Sequence, residues 1–148
     1  MPGIYLPTEP QDVWRILEVK EVVDGDTYRL RVDQRYGDIK LIEARLNPWD
    51  TPEKQSSATR KVSAFEKSEA QRATIEANEW FHVAKSFKMW IHTEPDTERW
   101  GRWLGEIWYE RPHFDWPGQV ERHSLGGYLA GLDLATAYPT RWYQVFDK

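Results

Sequence analysis

Residues 27–33, Thr-Tyr-Arg-Leu-Arg-Val-Asp, carry an apolar side chain at every second position and a polar one between. In an extended chain successive side chains point to opposite faces. Tyr28, Leu30 and Val32 then share one face, and Thr27, Arg29, Arg31 and Asp33 the other. Helical winding would scatter these residues, so the segment reads as a half-buried strand. The same rule predicts a strand over 39–47, "IKLIEARLN", with Ile42, Ala44 and Leu46 on one face and Glu43 and Arg45 on the opposite one. Tyr36-Gly37-Asp38 supplies the turn between the two strands. Pro48 has no N–H to give a ladder, so the second strand should end near Asn47. Upstream, "VWRILEVKEVV" (13–23) is rich in β-branched and apolar residues and predicts a strand buried on parts of both faces. The first third of the chain is therefore constrained to a three-stranded meander.

Residues 48–60 are polar and turn-rich and read as a loop. From about Arg60 to Ala84 the period lengthens: Ala73, Ala77, Trp80, Phe81 and Ala84 form one stripe of a helix. "SFKMWIHTE" (86–94) and "GRWLGEIWYE" (101–110) return to strand character across the turn "PDTERW". A loop is expected over Arg111–Gly118. A second helix is expected from about Gln119, with Leu125, Tyr128, Leu129 and Leu132 on one face. The last sixteen residues give no clear assignment. Three strands, a helix, two strands and a helix, tightly connected, predict an α+β fold. Its natural form is a five-stranded OB-type barrel with two or three helices packed outside. A length of 148 residues fits one domain over 1–148.

Composition removes several alternatives. No apolar run approaches the ~20 residues that span a bilayer, so no membrane partner is expected. The N-terminal "MPGIYLPTEPQDVW" has neither a basic nor an apolar leader segment, which points to a cytoplasmic protein. The absence of cysteine excludes disulfides and thiolate metal sites. A net charge of −4 argues against a general nucleic-acid coat protein but leaves room for a local basic cleft. His82, His92, His113 and His123 share no ligand spacing. The nine tryptophans read first as core packing and second as stacking surfaces.

Three polar clusters remain. Asp24-Gly25-Asp26 is not an EF-hand, because its glycine is misplaced and the twelfth loop position is Arg35. Alone it reads as a hairpin turn capped by carboxylates. "RLNPWDTPE" sets Arg45 five residues before Asp50, followed by Thr51, Pro52 and Glu53, and alone it reads as a turn before a helix. "ERWGRW" (98–103) places Arg99 and Arg102 around a Trp-Gly turn.

Taken together and in order, "VVDGDT" (22–27), "ARLNPWDTPE" (44–53) and "ERWGRWLGEIW" (98–108) resemble the staphylococcal nuclease (thermonuclease) family. The resemblance covers roughly residues 13–135. It implies the same OB-type barrel and a Ca²⁺-dependent nuclease acting on DNA or RNA, as a monomer or weak dimer. It also implies site roles. Asp26 and Asp50 would be carboxylate ligands of Ca²⁺, the Thr51 carbonyl a further ligand, and Asp24 a support just outside them. Glu53 would hold and deprotonate the attacking water, and Arg45 and Arg102 would grip the phosphate. Arg99 and Trp100 stand where the family has a lysine and a tyrosine, so charge and ring are kept while the hydroxyl is lost. Asn47-Pro48-Trp49 replaces an aliphatic run, the loop at 109–118 is longer than the family's, and no third helix is evident at the C-terminal end. Trp142, Tyr143 and Phe146, or a second subunit, would then have to cover the barrel there.

Phosphodiester hydrolysis asks for these residue types on its own terms. Hydroxide attack adds negative charge to an anionic centre, which a hard cation on carboxylate oxygens offsets. Arginine forks match phosphoryl oxygens bidentately, as lysine cannot. The alternative is a non-catalytic OB-type nucleic-acid-binding module, in which Trp49, Trp100 and Trp103 stack on bases.

Overall fold

A computed structural model describes residues 13–35, 37–95 and 102–147 of the chain, with Glu94, Pro95 and Arg102 entering through their backbone. The meander forms as its alternation requires, from β1 (Val13–Asp24), β2 (Thr27–Asp33) and β3 (Ile39–Leu46). Tyr28, Leu30, Val32, Ile42, Ala44 and Leu46 are all buried, on the one face the alternation assigns them. The third strand stops at Leu46, one residue earlier than expected, and the Asn47–Pro48 peptide is cis. The two-faced burial expected of β1 is not found. Only Ile16 is fully buried there, while Trp14, Val19 and Val22 pack against the core with part of their surface exposed. The physical reason lies in its pairing with β2, which slips register between Ile16 and Glu18, Val19 and Glu21, and Val22 and Asp24. Each irregularity bends the strand and breaks its strict inward–outward alternation.

The bent first strand serves two neighbours. It pairs antiparallel with β2 along its length and, through Val13–Ile16, with β5 (Lys88–Pro95). In turn β5 pairs with β6 (Arg102–Pro112), and β6 closes the sheet by a parallel pairing of Arg102–Gly105 with Glu43–Leu46 of β3. The circular order β1-β2-β3-β6-β5 is a closed five-stranded barrel of OB-type connectivity. Gly105 is needed at the closure: a Cβ there would lie 2.6 Å from Ile91 of the adjacent strand.

Helix α1 (Ala64–Ala84) lies against the barrel and buries the stripe Ala73, Ala77, Trp80, Phe81 and Ala84. It starts four residues later than the period alone indicates, because Ser63 is its N-cap and accepts the N–H of Glu66. Tyr28 meets Phe81 edge-on at 5.2 Å, and Trp80 contacts both Phe81 and Tyr109, which joins helix and barrel into one core.

The second half departs further from expectation. β6 runs on to Pro112, so the expected loop shrinks to the residues between it and β7 (Val120–Ser124), which pairs with Trp108–Pro112. Residues 120–124 are thus strand rather than the start of a helix. The helix proper, α2 (Leu125–Gly131), begins only after Ser124 caps it by accepting the N–H of Gly127. Inside the expected 48–60 loop a two-residue strand β4 (Trp49–Asp50) pairs with β8 (Thr136–Ala137). A short third helix, α3 (Trp142–Phe146), follows the cis Tyr138–Pro139 peptide. It closes the C-terminal side: Trp142 is buried, stacks on Phe65 of α1, and donates its indole N–H to the Asp133 carbonyl at 2.8 Å. No helix among the described residues is long and apolar enough to cross a membrane.

Candidate active site

The Asp24-Gly25-Asp26 turn joins β1 to β2 and is seated on α1. A Cβ on Gly25 would come within 2.7 Å of the Ala73 Cβ, so glycine is what allows this approach. The buried Tyr28 hydroxyl donates to the Gly25 carbonyl and fixes the turn from below. Within the turn the Asp26 N–H donates to Asp24 Oδ1 at 3.1 Å, and the Thr27 hydroxyl donates to Asp26 Oδ1 at 3.0 Å.

Cross-strand register then brings in the arginine. Thr27 pairs with Arg45, the Leu46 N–H donates to the Asp26 carbonyl at 2.7 Å, and Arg45 Nε lies 3.5 Å from Asp26 Oδ2. Cross-strand register thus sets the Arg45 guanidinium against the Asp26 carboxyl group. Beyond them the chain turns at Asn47–Pro48 and presents Asp50 and Thr51, both buried, and then the half-buried Glu53.

These carboxylates feel one another. Burial, reinforced by the hydrogen bond to Asp24 and its charge, pushes Asp26 up to about 8 against the partial relief from Arg45. Burial also raises Asp24, but its hydrogen bonds with Asp26 and the nearby Lys54 charge outweigh that and hold it below the usual range. Glu53 is raised by burial and then by Asp50, with Arg45 acting in the opposite sense. Arg45 loses some solvation by burial, and Asp26, Glu53 and Asp50 more than compensate to keep it charged.

Asp50 is 1% exposed. Its Oδ2 accepts the Trp142 backbone N–H at 2.7 Å, and its Oδ1 lies 3.2 Å from Arg141 Nε. Glu53 is steadied through its backbone, whose N–H donates to Glu66 Oε2 at 2.8 Å. Glu66, itself 1% exposed, is held by both terminal nitrogens of Arg60 at 2.8 and 2.9 Å. The Arg60 guanidinium lies over the Tyr143 ring at 3.9 Å.

Glu66, Arg60 and Arg141 are site residues that sequence reasoning missed, and Trp142, expected only as a cover for the barrel, joins them through its N–H to Asp50. Ser63-x-x-Glu66 carries a capping-box pattern that marks the helix start, but the Glu66 carboxylate turns to Glu53 and Arg60 instead. Nothing in the local sequence around Arg141 points to Asp50. Arg102 opens β6 opposite Glu43, one strand from Asp26 and two residues along from the Arg45 position. Its guanidinium, together with Arg99 and Trp100, lies outside the described residues. Of the histidines, His113 and His123 both approach Glu121, at 3.6 and 3.0 Å, beside Arg111.

The donor set fits a hard divalent cation in kind: it is all oxygen, it is rich in carboxylate, and the buried Asp50 Oδ1 has no hydrogen-bond partner among the described residues. As they stand, no three acidic or histidine side chains among the described residues draw together as a closed cation site. Comparison of the chain with family models and with curated proteins gave no match. Fold and site together define the class: an OB-type barrel with carboxylates and arginines paired at the β1–β2 turn and the β3–β4 connection.

Proposed function

We propose that this protein is a Ca²⁺-dependent nuclease that hydrolyses phosphodiester bonds of DNA or RNA. The observation that carries the reading is the grouping of Asp26, Arg45, Asp50 and Glu53 at one end of the barrel, close enough for their charges to act on one another. Asp26 and Asp50, with the Thr51 carbonyl, would hold the cation, whose charge polarises a phosphoryl oxygen when it is bound.

The chain's own residues supply the rest. Glu53 accepts a proton from water; its raised proton affinity brings it nearer the operating pH, which suits a general base. Arg45, already charged and half-buried beside Asp26, donates to phosphoryl oxygens, and Arg102 would do so from β6. Arg99 and Trp100 would bind the flanking nucleotide by charge and stacking. Glu66 positions Glu53 without touching substrate.

The test is cleavage of single-stranded and duplex DNA in Ca²⁺ and in excess chelator. Activity is expected only with the ion, and Glu53→Ala and Arg45→Ala should each lose at least ~100-fold. Undiminished cleavage by both variants would defeat the proposal. A second reading, a non-catalytic nucleic-acid-binding module, draws support from Asp50, whose oxygens face Arg141 and the Trp142 N–H. Salt-sensitive DNA binding by a folded protein that never cleaves would establish that reading instead.

A further inference from the structure

The ion pair between Asp50 and Arg141 is unusual in its chemistry. Charge is balanced at 3.2 Å, yet Asp50 Oδ1 and Arg141 Nε are both buried and neither has a hydrogen-bond partner among the described residues. The contact at 3.2 Å neutralises the charge without the alignment of a directed hydrogen bond. The contact is therefore a poor one for both groups, and either would gain from a better partner. For Asp50 Oδ1 that partner is a compact cation. For a guanidinium it is a planar anion that accepts two parallel bonds.

Arg141 is placed to make the change. Its side chain keeps about a third of its surface exposed (33%) and is flanked by Tyr138 and Tyr143, whose rings lie 5.6 and 5.8 Å from its guanidinium carbon. It shares its surroundings with the proposed catalytic groups: Asp50 and Tyr138 act electrostatically on both Arg45 and Arg141, and Glu53 senses both arginines. The backbone need not follow, because Trp142 holds the segment independently through its N–H to Asp50 Oδ2 and its indole to Asp133.

We propose that Arg141 is a further substrate-binding arginine held in reserve, neutralising Asp50 in the cation-free protein and transferring to a phosphodiester oxygen once a divalent cation takes its place. The inference rests on the nuclease reading above and adds to it a residue from the C-terminal segment. It makes Arg141 a competitor of the cation and an ally of the substrate, two effects of opposite sign.

The experiment measures both by binding. Ca²⁺ is titrated calorimetrically into the cation-free full chain. A fluorescent single-stranded oligodeoxynucleotide is then titrated in Ca²⁺, in a Glu53→Ala background that prevents cleavage. Arg141→Gln should bind Ca²⁺ about three- to ten-fold more tightly and the oligonucleotide about ten-fold more weakly. Arg141→Lys, which keeps the charge and loses the fork, should hold Ca²⁺ affinity near wild type and still weaken the oligonucleotide. It also tests the substrate half alone should the glutamine variant fold poorly. Unchanged or weaker Ca²⁺ binding by Arg141→Gln, or unchanged oligonucleotide binding by both variants, overturns the proposal while leaving the nuclease reading intact. A wild-type protein that takes up no Ca²⁺ overturns the nuclease reading itself, and this inference with it.

Discussion

Glu66 accepts the backbone N–H of Glu53 at 2.8 Å, so the residue proposed to activate water is tethered to the first turn of the long helix rather than left to its loop. The tether is stiff because Arg60 grips the same carboxylate with two nitrogens. A buried side chain of α1 thus sets where the backbone of Glu53 stands.

Glu66→Ala removes the acceptor for one backbone N–H and leaves Arg60 without its partner. A hydrogen bond to a charged, buried acceptor contributes about 1.5–3 kcal/mol, and urea unfolding should show a loss of that order. Glu66→Gln retains an acceptor for Glu53 and should recover part of the loss. Equal destabilisation by the two variants would mean that the Arg60 pairing, and not the Glu53 tether, is what matters.

The cation-free protein should lose stability as pH rises from about 4 to about 8. Asp26 is raised from 3.8 to about 8 in the folded chain, so over that interval the folded state holds a proton that the unfolded state has released. The contribution is fully present below the unfolded value and gone above the folded one. Glu53, also raised, acts in the same direction, whereas Asp24 is lowered and loses its contribution only as pH falls below the usual carboxylate range. Urea unfolding in chelator at pH 5 and pH 8 measures the slope, and Asp26→Asn should flatten most of it. A slope unchanged by that substitution would place the titrating group elsewhere.

Gly25→Ala should destabilise the protein by about 1–3 kcal/mol, since the added Cβ meets the Ala73 Cβ at 2.7 Å and neither backbone can retreat easily. Ala73→Gly alone should cost roughly 1 kcal/mol through helix propensity. Combined, the two changes should cost less than their sum, because the second makes room for the first. Strict additivity in thermal or urea melts would show that the turn does not rest on the helix.

Trp142→Ala opens a cavity beneath α3 and removes the cover over Asp50. Truncating a buried tryptophan costs about 3–5 kcal/mol, readable in urea unfolding. A cost below ~1 kcal/mol would mean that α3 is not part of the cooperative fold.

The barrel was legible in the sequence wherever one face of a strand is buried and the other is not. Tyr28, Leu30 and Val32 could be assigned by alternation because nothing competes with it, whereas the Asp26–Arg45 contact depends on a cross-strand register that only the fold supplies. Residues 120–124 were not legible: Val-Glu-Arg-His-Ser has no buried stripe, and it becomes a strand because β6 offers an unpaired edge. Helix α1 announced its face but not its start, which Ser63 decides. The larger gap was around Asp50: a two-residue pairing of β4 with β8 brings in Arg141 and Trp142, the latter 92 positions away in sequence. No local pattern encodes such a contact.

That separation has a consequence in time. The five strands of the barrel all lie within residues 13–112, and Asp24, Asp26, Arg45 and Glu53 are complete in the chain long before residue 136. A polypeptide emerging in order from its N-terminal end can therefore close the barrel while Asp50 still lacks its counterion and its cover. Scaffold and site are finished at different moments of synthesis, and the later one waits for residues 136–147 to fold back beneath β4.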